Sequence, residues 1–444
     1  MAKNQQQHVY LGYLLGGLGL LIGLILILYL YDSSHFQFAG QKPVQIYFAD
    51  NISTAHEKLI QEFNKLHEGS IEVIPINLPF SKFSTNERKE ILARSLRSKS
   101  NRIDIFAVDL IWVPRFAKWG ESLEKYFPTN ERSRFIPQAL VSCYHSNELV
   151  AIPFYLDIAL MYYRKDIIGK LPDGQKLEQR IKEGITWEEL IELQRKVPLN
   201  GHPIYLFPAK NYEGLVCSFI DILASQDRSI FEGDSVQLYT PEAIRTLQLL
   251  VDLIQRYQMT SPVVTTFDET GVYRYALETD ALFFRGWPGL TRQYLSSFEP
   301  PLIQKLKSIG VAPLPHFKEG KPTAVFGGWN LMLSRFSAHK KEALKFMKFV
   351  VSEKSQELMH LEGDYLPVVE EVYNNPAFNQ QFPLLKMYRS LFRYGVHRPY
   401  VANYTKISDV IAYYTHKAIR GEISVPEALR EATRVINSRE VLIR

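Results

Sequence analysis

The sequence predicts an α/β protein of two lobes preceded by one N-terminal transmembrane helix. Three observations predict it. Residues Tyr10 to Tyr31 run for 22 positions without a charge. From Val44 onward, short apolar strands alternate with amphipathic helices, the pattern of an α/β fold with largely parallel sheets. The roughly 400 residues after the apolar run exceed what one hydrophobic core holds, so the body divides in two.

The apolar run "YLGYLLGGLGLLIGLILILYLY" would span about 33 Å as a helix, enough for a hydrocarbon core of roughly 30 Å. Tyr10, Tyr29 and Tyr31 lie at its ends, where aromatic side chains favour the membrane interface. Lys3 precedes the run and Asp32 follows it, which places residues 1–9 in the cytoplasm and the body outside. A cleaved signal peptide would have a shorter apolar region and a small-residue cleavage site. This run is longer and ends in bulky residues, so an uncleaved anchor at 10–31 is the expectation, with 32–43 as a linker.

The body then reads in order. "VQIYFA" (44–49) is a strand, and Ser53 or Thr54 caps a helix near 54–67. The strand "IEVIPINL" follows, then a basic helix near 86–100 whose charges suit a solvated face. "IDIFAVDL" (103–110) is a buried strand with Asp109 near its end. Thr186 and Glu189 form a capping box ahead of "WEELIELQRKV". Helices are expected near 241–257 and 268–278, a strand at "ALFFRG", and strands again at "IGVAPLPHF" and "FGGWNLMLS". "AHKKEALKFMKFVVS", "EKSQELMHLEG" and "PEALREATRVINSR" close the chain as helices.

Composition narrows the function by exclusion. A net charge of +5 over 444 residues, with both signs interspersed, calls for no nucleic-acid partner. Phosphate-binding GxxxxGK[ST] and GxGxxG loops, a GxSxG elbow and HExxH are all absent. The 11 histidines lack ligand spacing, and the two cysteines, Cys143 and Cys217, form no CxxC. The chain is therefore read as a non-enzyme without cofactor or metal. Whether the two cysteines pair stays open.

The binding candidates come from two patterns. Arg285-Gly286-Trp287-Pro288 and Gly328-Trp329 each set a tryptophan directly after a glycine at or within an apolar run, using two of only five tryptophans. Asp50, Asp109, Asp157 and Glu213 fall at expected strand ends or loop starts, where α/β sheets bind ligands. Carboxylates accept paired hydrogen bonds from adjacent hydroxyls, and indole faces pack on the apolar face of a sugar ring. Two carboxylates could also serve a glycosidase, which requires them about 5 to 9.5 Å apart.

"DIFAVDLIWVPRFAKWG", "AIPFYLDIALMYYRKDI", "NYEGLVCSF", "FFRGWP", "VAPLPHFKEGKPTAVFGGWNLMLSRFS" and "HRPYVANYTKISDVI" together resemble the extracellular solute-binding proteins of ABC importers, in the trehalose/maltose-binding branch. The resemblance runs from about 44 to 438. It implies a two-lobed periplasmic-binding-protein fold (type II, venus-flytrap) that holds a di- or oligosaccharide between its lobes and delivers it to ABC permease subunits. The body would be monomeric and extracytoplasmic, periplasmic or at the cell surface. It also implies crossings near 155–159, 308–311 and 362–366. Lobe 1 is then 44–156 plus 310–363, and lobe 2 is 157–309 plus 364–440. Trp287 and Trp329 would face the ligand. Asp109, Asp157, Arg285 and Arg398 would make polar contacts, with the Gly328 backbone, Asp50, Tyr155, Glu213 and Tyr404 assisting. Val368-Val369 after "LEGDYLP", and Asp50 in place of a longer acid, depart from the family pattern. A membrane-tethered glycoside hydrolase and a ligand sensor for a partner receptor are the alternative functions.

Overall fold

The computed structural model describes residues 42–438 except 80–81, 84, 100–101, 197–200, 233–234, 291 and 293–297, together with 21–23 and 25. Most of the expected anchor and linker lies outside these residues. Among the described residues no helix is long and apolar enough to cross a membrane.

The first half of the body opens with β1 (Val44–Asp50), α1 (Thr54–Leu66), β2 (Ile71–Asn77), α2 (Thr85–Arg97) and β3 (Ile105–Asp109). β2 and β3 flank β1, both parallel to it. Ser53 caps α1, accepting from the His56 N–H, and the His56 ring returns to the Ser53 N–H. Such a cap stabilises by about 1 kcal/mol. After β4 (Ile152–Ile158) the chain enters a second sheet at β5 (Leu160–Arg164). That sheet adds β6 (Tyr205–Leu206), β7 (Phe283–Gly286) and β8 (Ile309–Ala312), in the order β8-β5-β7-β6. Between β6 and β7 run α3 (Glu213–Ala224), α4 (Pro241–Gln255) and α5 (Glu269–Glu278). The chain then returns to the first sheet as β9 (Ala324–Leu333), a strand buried along its whole length. α6 (Lys340–Val350) and α7 (Glu353–Gly363) follow, then the short β10 (Gly395–Val396), α8 (Tyr404–Ile419) and α9 (Val425–Asn437).

Two cores result. Phe48, Phe63, Phe154 and Phe346 meet under the first sheet at ring separations of 5.0–6.1 Å. Tyr162 packs on Phe284 at 5.2 Å, and Trp187 on Tyr205 at 4.9 Å, under the second. The expected capping box forms: the Thr186 N–H donates to Glu189 Oε2 (2.7 Å) and the Glu189 N–H to Thr186 Oγ1 (3.2 Å).

Four sequence expectations change. The sheets are mixed rather than largely parallel. β9 runs antiparallel to both β3 and β4, and β5 antiparallel to β7 and β8. A strand that returns from the other half enters opposite to the βαβ strands. Second, Asp157 and Ile158 pair with β9 in the first sheet, while residues 309–312 pair with β5 in the second. The return therefore follows Ala312 instead of falling at 308–311. Third, the segment from 364 is shared between halves. Leu366 bridges to Leu156, Val369 to Phe135, and β10 pairs with Ala324 and Val325. Only further on do α8 and α9 pack on α3 and α4. The helix over 86–100 also differs from a solvated face, because Arg88 and Lys89 are buried.

Gly328 sits in β9 at φ +125°, and a Cβ there would lie 2.5 Å from the Tyr155 carbonyl oxygen. Both the backbone region and the close strand contact exclude a side chain. Gly328→Ala is expected to lower the unfolding free energy by about 2 kcal/mol, measured by urea melts. An unchanged midpoint would sink the assignment.

Candidate functional site

β9 aligns the site by register. Trp329 lies opposite Asp109 of β3 on one side and Tyr155 of β4 on the other. Two residues earlier Gly327 lies opposite Asp157. A Cβ on Gly327 would fall 3.0 Å from Trp287 Cζ3 and 3.2 Å from Asp157 Cβ. The missing side chain of Gly327 thus lets the indole from the second half reach the strand that carries Asp157. Of the predicted residues, Asp109, Asp157, Tyr155, Trp287, Gly328 and Trp329 come together here.

Asp157 is the carboxylate this geometry leaves open. It is half-buried and makes no hydrogen bond or ion pair among the described residues. Burial, reinforced by the nearby charge of Asp109, pushes its carboxyl up to about 7. Tyr155 and Tyr365 lie beside it, with ring centroids 4.5 Å apart.

The other predicted carboxylates are occupied. Arg398, 2% exposed, donates from Nη1 to Glu213 Oε1 (2.7 Å) and from Nη2 to Asp109 Oδ1 (3.3 Å). Glu213 Oε1 also accepts from the Tyr404 hydroxyl (2.9 Å), and Glu213 Oε2 from Ser408. Burial raises the carboxyls of Asp109 and Glu213, opposed by Arg398 in each case. Glu213, expected at a loop start, is the first residue of α3, and its acceptors are spent inside this network. Tyr404 belongs to the same network rather than to the ligand wall. His397, beside Arg398, stacks on Phe326 at 4.7 Å, and burial pushes its imidazole down to about 4; it is a neutral packing residue.

Arg285 and Asp50 also differ from the expectation of direct contacts. Arg285 is 1% exposed, donates from Nε to Asp221 Oδ2 (2.7 Å), and lies 4.7 Å over the Trp287 ring. Asp50, also buried, pairs with Arg88 (3.0 Å) and His56 (3.3 Å). Arg88 in turn lies 4.4 Å over the Trp329 ring. Each cleft tryptophan therefore carries an aspartate-held guanidinium on one face.

Sequence reasoning missed Arg88, Asp221, Tyr365 and Glu269. Arg88 was hidden in a basic helix, and Asp221 inside the apolar run of α3. Glu269 accepts the Trp287 indole N–H at 3.2 Å, and nothing in its local sequence signals it. Cys143 and Cys217 are free and buried. Among the described residues no cluster of His, Cys, Asp and Glu could hold a metal ion.

Two α/β halves thus meet where Trp287 of the second reaches Gly327 and Asp157 of the first. Residues 48–357 match the bacterial extracellular solute-binding protein family, and the chain belongs to it. A probable ABC transporter-binding protein of Deinococcus radiodurans is 24% identical over 364 residues, covering 78% of this chain and 82% of that protein. A maltotriose-binding protein of Pyrococcus abyssi is 25% identical over 289 residues, 62% of this chain and 56% of that one. The solved structure of maltose-bound MalE3 of T. maritima superposes with a TM-score of 0.77 at 28% identity, covering 89% of this chain and all of that one. The GacH receptor of Streptomyces glaucescens, solved unliganded and with acarbose, superposes at 0.76 over 90% of this chain. At 18% identity it supports the fold alone.

The raised carboxyl of Asp157 carries a sign. The folded state holds this proton more tightly than the unfolded chain, whose ordinary value is 3.8. Its contribution to stability is full below about pH 4 and is lost as pH rises through about 7. Asp157→Asn should therefore raise the melting temperature of the ligand-free protein at pH 8 and leave it near wild type at pH 4. Melting curves that differ equally at both pH values would contradict this.

Proposed function

We propose that the chain is the solute-capturing component of an ABC importer, closing its two halves on a di- or oligosaccharide and handing it to permease subunits in the membrane. The observation that carries the reading is the space beside Gly327, where a Cβ would meet Trp287 Cζ3 at 3.0 Å and Asp157 Cβ at 3.2 Å, so that the indole and the unpaired aspartate flank one glycine. A ring C–H face packs on the indole while adjacent hydroxyls donate to the carboxylate. Asp109, Tyr155, Trp329 and the Gly328 backbone complete the wall from the first half. A relative named for maltotriose and a maltose-bound structural neighbour support a glucan-type ligand. Capture proceeds by a shift toward the closed form, limited by the ligand's differential affinity for it. The protein binds and releases; it does not hydrolyse.

The test is calorimetric titration with trehalose, maltose and maltotriose. Trp287→Ala and Asp157→Ala are each expected to weaken binding at least about tenfold, or roughly 1.4 kcal/mol. Unchanged affinities in both variants would remove the cleft assignment.

Residues 10–31 are proposed as an uncleaved membrane anchor with the body outside the cytoplasm. Leu21, Ile22, Gly23 and Ile25 are helical, and the three large side chains among them are 58%, 51% and 57% exposed. Exposed leucine and isoleucine within a 22-residue run without charge suit a lipid environment. Full-length protein should pellet with membranes and resist carbonate extraction. Recovery of the intact chain in the soluble fraction would refute the anchor.

A further inference from the structure

We propose that Glu269 is a positioning residue for Trp287, keyed by Tyr212-Glu213-Gly214 at the start of α3; this rests on the cleft reading above and deepens it. Trp287 immediately follows β7 and has no strand partner of its own. Side chains hold it instead. Its N–H donates to the Tyr273 hydroxyl (2.9 Å), and its carbonyl accepts from the Tyr162 hydroxyl (2.6 Å). These two bonds fix the backbone but leave both side-chain torsions free. The indole N–H, donated to Glu269 Oε1 at 3.2 Å, is the contact that sets the ring plane.

Glu269 is itself locked. It is the first residue of α5, capped by Asp268, and its second oxygen accepts from the Tyr212 hydroxyl at 2.5 Å. Gly214 makes room for that contact. A Cβ there would fall 2.1 Å from Tyr212 Oη and 2.8 Å from Glu269 Oε1. Tyr212 therefore leads through Glu269 to the aromatic wall, while its neighbour Glu213 holds Arg398. The N-terminus of α3 orients both.

A chemical consequence follows. The only polar atom of the Trp287 side chain is committed to Glu269, and Arg285 covers one face. Trp287 offers the ligand only ring carbon. It selects for an apolar ring face and cannot donate to a hydroxyl. Because the ring plane is set before ligand arrives, its ordering is not charged against binding.

The test uses full-length protein in detergent, with 5-fluorotryptophan in place of its five tryptophans and the Trp287 signal assigned by Trp287→Phe. Without ligand, Glu269→Ala should shift or broaden that ¹⁹F signal, while Glu269→Gln, whose amide oxygen still accepts, should leave it near wild type. Maltotriose affinity should fall about tenfold in Glu269→Ala, stay within about threefold in Glu269→Gln, and show no further loss when Glu269→Ala is added to Trp287→Ala. A wild-type fluorine signal in Glu269→Ala, or equal losses in the Ala and Gln variants, would overturn the proposal. Absence of maltotriose binding by the wild type would count against the ligand reading instead, because the fluorine result needs no ligand.

Discussion

The Arg398 guanidinium is the point on which the two halves converge. Almost fully buried, it spans from Asp109 at the end of β3 to Glu213 at the start of α3, residues 289 and 185 positions away in sequence. A cation in this position is tolerable only if its charge is matched, because desolvation otherwise outweighs the Coulomb attraction. Glu213 is matched in turn by Tyr404 and Ser408 of α8. The network adds little net stability compared with an apolar core of the same shape. Its effect is specificity: β3, α3, β10 and α8 must all be in register for any of these charges to be buried. The arrangement also decides which carboxylate remains for a solute. Asp109 and Glu213 are counter-ions first, and Asp157 is left without one.

The same logic recurs behind both tryptophans. Asp50 holds Arg88 over Trp329, and Asp221 holds Arg285 over Trp287. Asp221 has a second task, since its Oδ1 accepts the Val325 N–H of β9 at 2.7 Å. The second half thereby grips the strand that carries Gly327, Gly328 and Trp329. A guanidinium over an indole contributes roughly 0.5–2 kcal/mol, more when desolvated. The aromatic wall is a set of rigid surfaces fastened from behind.

What the sequence made legible was local. Alternating strands and helices, the Ser53 cap, the Thr186–Glu189 box and the position of Asp109 each follow from a few adjacent residues. The glycines before tryptophan were also readable as a demand for thin backbone. The structure supplies the reasons: a Cβ on Gly286 would lie 2.5 Å from the Tyr162 ring, and Gly328 has a positive φ. What was not legible is set by long-range pairing. The antiparallel entry of β9 joins residues more than 150 positions apart, and no local pattern encodes its direction. The family resemblance implied that Arg285 contacts the ligand, but the fold buries it and spends its Nε–H on Asp221, a residue 64 positions away. Arg88 looked solvated because its helix is basic, and only the fold brings Asp50 to it.

These constraints bear on how a solute would be recognised. In the proposed reading the buried guanidiniums around the cleft are each paired with a carboxylate, whereas Asp157 has no counter-ion and burial pushes its carboxyl up to about 7. An isolated carboxylate there would be unfavourable, whereas a carboxylate receiving two hydroxyl donors would not be. Hydroxyls on adjacent ring carbons provide such donors, and the C–H face of the same ring meets the Trp287 indole. A ligand with hydroxyls but no flat apolar face would satisfy Asp157 and waste the aromatic wall. A flat apolar ligand would fill the wall and leave Asp157 desolvated without a partner. Only a molecule carrying both surfaces on one rigid ring relieves both conditions at once, which is a physical argument for a pyranose that does not depend on any relative's name.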